Sequence, residues 1–164
     1  MRQAMDPFAN VPSSVGAAEV RALQGALQGF LEATSAHWVA LCDRAGNLLF
    51  HEGKDPGSDV AILCALAAGS FAASRELARR LGTNEFAEQV HEGEGLRILL
   101  HSLDTETLLV VVFQHSTSIG LVRYYAAKLA NEVTGMVEEI ARAGAIAFGQ
   151  LPPIELDPAR PLLS

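Results

Sequence analysis

Hydrophobic positions recur along this chain in two rhythms, one helical and one alternating. Between residues 58 and 81, Val60, Leu63, Cys64, Ala67, Phe71, Ala78 and Leu81 return at helical spacing, which predicts an amphipathic helix. Its opposite face should carry Lys, Glu and Gln if it met only water. Ala61, Ala65, Ala68, Gly69 and Ala72 stand there instead, followed by Arg75, Glu76 and Arg79. A stripe of small residues lets another backbone approach closely, so this face is read as a surface that docks a partner. Alanine is also simply a good helix former. Gly69 counts against that alternative, because a mid-helix glycine costs about 1 kcal/mol relative to alanine.

The rest of the chain divides by the same logic. A first helix is predicted from residue 14 to about residue 35, with Val20, Leu23, Leu27, Phe30 and Leu31 on one face. Residues 37–43 and 48–52 read as strands joined by Arg44-Ala45-Gly46-Asn47, whose Gly and Asn tolerate the positive φ of a tight hairpin. Gly82 suits the end of the small-faced helix. Residues 86–91 give a weak strand, 92–95 a turn and 96–103 a strand. After a turn at Asp104-Thr105-Glu106, residues 108–114 are almost wholly apolar and β-branched, which places them centrally in a sheet. Ser116, Thr117 or Ser118 can cap a last helix over about residues 118–148. Within it Val122, Ala126, Leu129, Val133, Met136 and Ile140 form a near-heptad seam.

The resulting order, α-β-β-α-β-β-β-α, predicts an α/β protein of the α+β kind: one antiparallel sheet with helices covering its faces. Residues 1–13 are expected to be a disordered extension and residues 14–148 the domain. Residues 149–164, with four prolines, are expected to be an extended tail. In that tail Leu151, Ile154, Leu156, Leu162 and Leu163 could form a docking motif, or none.

Composition narrows the function. A net charge of -7 with scattered basic residues argues against nucleic acid, which demands clustered Lys and Arg. The start of the chain lacks the apolar core of a signal peptide. No continuous run reaches the roughly 18 apolar residues of a membrane span. A cytoplasmic protein with Cys42 and Cys64 reduced and buried is therefore expected. Loops of the form GxxxxGK(S/T), GxGxxG and GxSxG are absent. His37, His51, His91, His101 and His115 show no zinc spacing, and His91-Glu92-x-Glu94 is read as a solvated hairpin rather than a metal site. Asp43 is read as a turn former rather than an acid catalyst. No cofactor, metal or catalytic residue is expected.

Three stretches go further. Leu66-Ala67-Ala68-Gly69-Ser70-Phe71-Ala72-Ala73-Ser74 resembles the LAAG(N/S)xAA stretch of the Roadblock/dynein light chain family. The run from Leu81-Gly82-Thr83 through Phe86 to His91-Glu92-Gly93 is similar to the LGExxFxxxxHEG segment of that family's bacterial MglB-like subgroup. Thr117-Ser118-Ile119-Gly120-Leu121-Val122-Arg123 resembles its TSLGLVR. The resemblance implies five antiparallel strands, with the Ala-rich helix on one face and the terminal helices on the other. It implies a homodimer in which the edge strand, Phe86, Ala87, Glu88, Gln89, Val90 and His91, pairs with its copy. It also implies a partner: a Ras-like small GTPase of the MglA type, bound in its GTP state and stimulated to hydrolyse GTP. Carried over by position, the contact residues are Ala65, Ala68, Gly69, Ala72 and Glu76, the last standing where the family's usual residue is small. Polarity and gliding motility, with enrichment at a cell pole, belong to the same expectation.

Two other readings compete with activation: a dimeric scaffold that binds a GTPase without changing hydrolysis, and a small-ligand sensor with a cavity between sheet and helix.

Overall fold

In this computed structural model the described residues are 16–149, with nothing stated for side chains beyond residue 139. The expected extension and most of the expected tail lie outside them, as does the predicted helix start at Ser14. Eight elements follow one another: α1 (Ala17–Thr34), β1 (Trp38–Asp43), β2 (Leu48–Gly53), α2 (Val60–Leu81), β3 (Glu88–Glu92), β4 (Arg97–Ser102), β5 (Thr107–Phe113) and α3 (Ile119–Gly149). The strands form one antiparallel sheet in the order β2-β1-β5-β4-β3. The almost wholly apolar segment is indeed the central strand, and it is covered on both faces, by α2 on one and by α1 and α3 on the other.

Period-two alternation divides the sheet's side chains between two cores. Val39 and Leu41 of β1 join Leu109, Val111 and Phe113 of β5 beneath α1 and α3. The helices supply Leu23, Leu27 and Phe30 from one side and Val122, Ala126, Leu129 and Val133 from the other, so the first four members of the near-heptad seam all face inward. Trp38, Ala40 and Cys42 point the opposite way, with Leu108 and Val110, against Val60, Cys64, Ala67 and Phe71 of α2. One helix thus covers one face and the two terminal helices cover the other.

The helix ends follow from local chemistry. Asp59 caps α2 by accepting the backbone N–H groups of Ala61 and Ile62, and Gly82 closes it in the left-handed region at φ 68°. Asp59 offers a carboxylate where the first turn has unpaired donors. Ser118 caps α3, its hydroxyl accepting from the Leu121 N–H at 3.4 Å.

The β1–β2 turn positions the hairpin against α2. The Asp43 carboxylate accepts the Asn47 backbone N–H at 2.8 Å, the turn-forming role expected of it. Gly46 sits at φ 91°, and a Cβ there would lie 2.7 Å from the Ala65 Cα. Both the positive φ and the backbone contact exclude a side chain. Gly46→Ala is expected to cost about 2–3 kcal/mol, read as a lowered urea midpoint.

Two differences from expectation concern β3 and α2. β3 starts two residues later than residue 86 and runs to Glu92, so Phe86 and Ala87 precede the strand. The ladder gives the reason: Glu88 pairs with His101, and beyond it β4 turns away after Ser102. Ala87 keeps one bond, its carbonyl accepting from the Ser102 N–H at 2.9 Å. The second difference concerns α2 as a whole. It is long and apolar enough, by length and composition, to cross a membrane, with mean hydropathy 1.5 over 18 residues of which 22 % are buried. Counting continuous apolar runs missed this, because Gly69, Ser70, Ser74 and Arg75 interrupt the apolar run within the helix.

Candidate interaction surface

The outward face of α2 is not one flat stripe of small residues. It has two flanks, separated by the helical period. On the flank beside the β1–β2 turn, Ala61, Ala65 and Ala72 are exposed. The smallness of Ala65 already has a use inside the domain, since the Gly46 turn rests on it. On the other flank Ile62, Leu66 and Leu77 are exposed by 55, 66 and 59 %. Gly69 lies between the flanks, and a Cβ added there would meet nothing within 4 Å. Among the described residues, no contact explains that glycine.

Two sequence expectations are corrected here. Ala68 was expected on the outward face and is only 4 % exposed. It stands one turn after Cys64 and one turn before Phe71, so it packs with them on the sheet. Leu81 was expected inward and is 74 % exposed, because the inward contacts of α2 end at Ala78 and its last residues overrun the core.

The C-terminal end of the helix is charged and internally paired. Glu76 accepts from Arg79 at 2.7 and 2.8 Å and from Arg80 at 2.6 Å. The two guanidinium groups hold its carboxyl below the ordinary carboxylate value. Arg75 pairs with Glu85. Around them a hollow of about 450 Å³ is lined by Ala72, Arg75, Glu76, Ala78, Arg79, Thr83 and Glu85. Beside it, Arg44 lies 4.9 Å from the centre of the Phe71 ring and donates to the Ser102 hydroxyl and the Asp104 carbonyl at 2.7 and 2.8 Å. Burial, and then the neighbouring Arg75, lower its pKa. Arg44 was read from sequence only as a turn residue, yet it ties the two hairpin turns to α2.

β3 is one of the two edge strands of the sheet, β2 being the other. Glu88 and Gln89 are half-buried and engaged rather than simply solvated. Glu88 accepts from Arg123 of α3 at 2.6 Å and stands 3.9 Å from the His101 ring. Gln89 donates to the Ser70 hydroxyl of α2 at 3.0 Å, and His91 approaches the same hydroxyl at 3.4 Å. Val90 packs toward the α1–α3 core. Ser70 shares its flank with Leu66 and Leu77, so the large apolar flank of α2 runs along the β3 edge. An open edge beside exposed apolar side chains is a template for a further chain.

A model of the Roadblock/LC7 domain matches residues 24–113, a span that contains both of these surfaces. The chain belongs to the Roadblock/LC7 family. MglB of Myxococcus xanthus is 32 % identical, with 71 % of this chain and 95 % of that one covered and a TM-score of 0.67. The gliding protein MglB of Thermus thermophilus is 30 % identical, with 78 % and 98 % covered and a TM-score of 0.68. MglB in a tetrameric arrangement is 31 % identical, with 79 % and 98 % covered and a TM-score of 0.68. These similarities place this Roadblock domain with the MglB-like subgroup. No curated protein matches the sequence significantly.

Sequence reasoning missed Ile62, Leu66 and Leu77 as surface residues. Their spacing carried a signal: positions 62, 66, 73 and 77 form a second helical row, which was assigned to neither face.

Two histidines on the sheet of this Roadblock domain give it a pH dependence. Burial lowers the pKa of both His51 and His101, opposed in part by Glu52 and Glu88 respectively. The unfolded chain then binds more protons than the folded one as pH falls below about 6.5. Their contribution is present above that value and is lost as pH falls through the folded pKa values. Denaturant unfolding is expected to show lower stability at pH 5.5 than at pH 7.5, with the difference reduced in His101→Gln.

Proposed function

We propose that this protein is a homodimeric regulator that binds a Ras-like small GTPase of the MglA type in its GTP state and stimulates hydrolysis. The observation that carries this reading is the outward surface of α2. A helix of a folded domain exposes Ile62, Leu66 and Leu77 beside Ala61, Gly69 and Ala72, a face with no reason to be apolar in water. The large flank adjoins the open β3 edge and suits a second copy, whose helix would lie alongside. The small flank and the charged hollow at residues 72–85 suit the GTPase.

The protein supplies no active site of its own in this reading. Arg75, Arg79 and Arg80 are committed to Glu85 and Glu76, which argues against an inserted arginine, a device worth about 10³ to 10⁵ in rate where it operates. Stimulation then comes from selecting a GTPase conformation whose own switch residues reach the γ-phosphate. A cytoplasmic location with enrichment at a cell pole is part of the proposal and is checked with a fluorescent fusion.

The test measures GTP turnover by a candidate MglA-type GTPase with substoichiometric amounts of this protein, together with the mass of the complex. Faster turnover and a mass of two copies per GTPase are expected. GTP-dependent binding with an unchanged rate would select a scaffold instead, and absence of binding would sink both.

A further inference from the structure

Among the described residues, the α1–α3 side of the domain carries a second unpartnered surface, opposite α2. A groove of about 290 Å³ runs between the two helices. Gly25, Gly29 and Ala33 of α1 form one wall, and Tyr125, Lys128 and Glu132 of α3 form the other. Along α3 the groove is continued by two large exposed side chains, Leu121 and Tyr124, the latter 65 % exposed. The glycines are mid-helix, where each costs about 1 kcal/mol relative to alanine. A Cβ at either one would meet nothing within 4 Å, so packing inside the domain does not require them.

We propose that this groove is the docking site of the chain's own segment 150–164, which lies outside the described residues. Three observations select that occupant. The first is chemistry: Pro152, Pro153, Pro158 and Pro161 space the apolar Leu151, Ile154, Leu156, Leu162 and Leu163. Proline-rich segments favour the polyproline II helix and dock in aromatic-lined grooves at low entropic cost.

The second observation is reach. α3 ends at Gly149, and at 1.5 Å per residue Glu132 stands about 26 Å and Tyr125 about 36 Å back along its axis. At about 3.1 Å per residue in polyproline II, a returning segment brings Arg160 to about 34 Å and Leu162 to about 40 Å. Both therefore reach the groove, whereas Leu151 and Ile154 do not.

Charge is the third. Reversing direction after Gly149 uses about 8 Å of that reach, which sets Arg160 beside the Glu132 carboxylate on the rim and Leu162 and Leu163 over Gly25 and Gly29, between Lys128 and Tyr125.

The test uses the full-length chain with Leu162 replaced by the photocrosslinker p-benzoylphenylalanine. Irradiation is expected to link position 162 to residues 25–33 or 125–132 of the same copy, established by mixing isotopically light and heavy protein. Filling the groove with Gly25→Leu and Gly29→Leu should cut the yield at least five-fold while leaving the melting temperature no lower. Independently of that variant's folding, Glu132→Arg should lower the yield and Arg160→Glu added to it should restore the yield. Links elsewhere, no link, or an unchanged yield after filling or charge reversal would overturn the proposal. Links only between copies would assign the groove to a second molecule and overturn it equally.

Discussion

Replacing Ala72 by Arg is expected to abolish stimulation of the partner GTPase and leave the fold intact, whereas Ala68→Arg is expected to unfold the domain. The two positions are one helical turn apart in a run that reads as uniformly small, and the structure separates them. Ala72 is exposed on the edge of the charged hollow, where a new side chain meets solvent. Surface substitutions of that kind stay within about 0.5 kcal/mol. At the centre of an interface the same intrusion costs about 2 kcal/mol or more, a loss of roughly thirty-fold in affinity. Ala68 packs with Cys64, Phe71 and the sheet. An arginine there buries an unpaired charge, among the mechanisms that exceed about 4 kcal/mol. Turnover assays and thermal melts on both variants separate the effects. Full stimulation by a folded Ala72→Arg protein would remove the small flank from the contact.

The largest purely structural effect is expected at Phe71. Its side chain is fully buried between α2 and the sheet, and Arg44 stacks on its ring. Phe71→Ala removes the packing and leaves a cavity, at about 3–5 kcal/mol. A domain of ordinary stability has about 5–15 kcal/mol in all, so the variant should be partly unfolded near 37 °C. It should also weaken partner binding indirectly, since Arg44 and the two hairpin turns lose their seat against α2. Leu81→Ala is the control. Leu81 belongs to the same apolar series in sequence but lies mostly in solvent, and its loss should cost less than about 0.5 kcal/mol. Equal destabilisation by both variants would show that α2 packs along its whole length, contrary to the geometry described above.

The contrast between Phe71 and Leu81 shows how far periodicity carries. Helical spacing placed Val60, Cys64, Ala67, Phe71 and Ala78 on one face correctly, because a 3.6-residue period fixes direction over many turns. It could not say where the sheet beneath the helix ends, and that decides the fate of Leu81. It also could not set the width of the buried stripe. Ala68 lies near its margin, and packing with Cys64, Phe71 and the sheet brings that margin into contact. Ile62, Leu66 and Leu77 were hidden for the complementary reason: hydrophobicity marks a wish to be buried, not the partner that provides burial.

By itself, the amino-acid order determined the number, type and succession of the elements, the central position of β5, the glycine that closes α2 and the family. These depend on local period, turn chemistry and short motifs, all of which act within a few residues. The tertiary structure alone decided that the outer face of α2 has a small flank and a large apolar one. It also showed that Arg44 braces two distant turns against Phe71, that the arginines near the hollow are paired, and that two unexplained glycines of α1 open a groove beside α3. Each of these depends on residues far apart in sequence, whose juxtaposition is set by sheet order and helix crossing rather than by any local pattern.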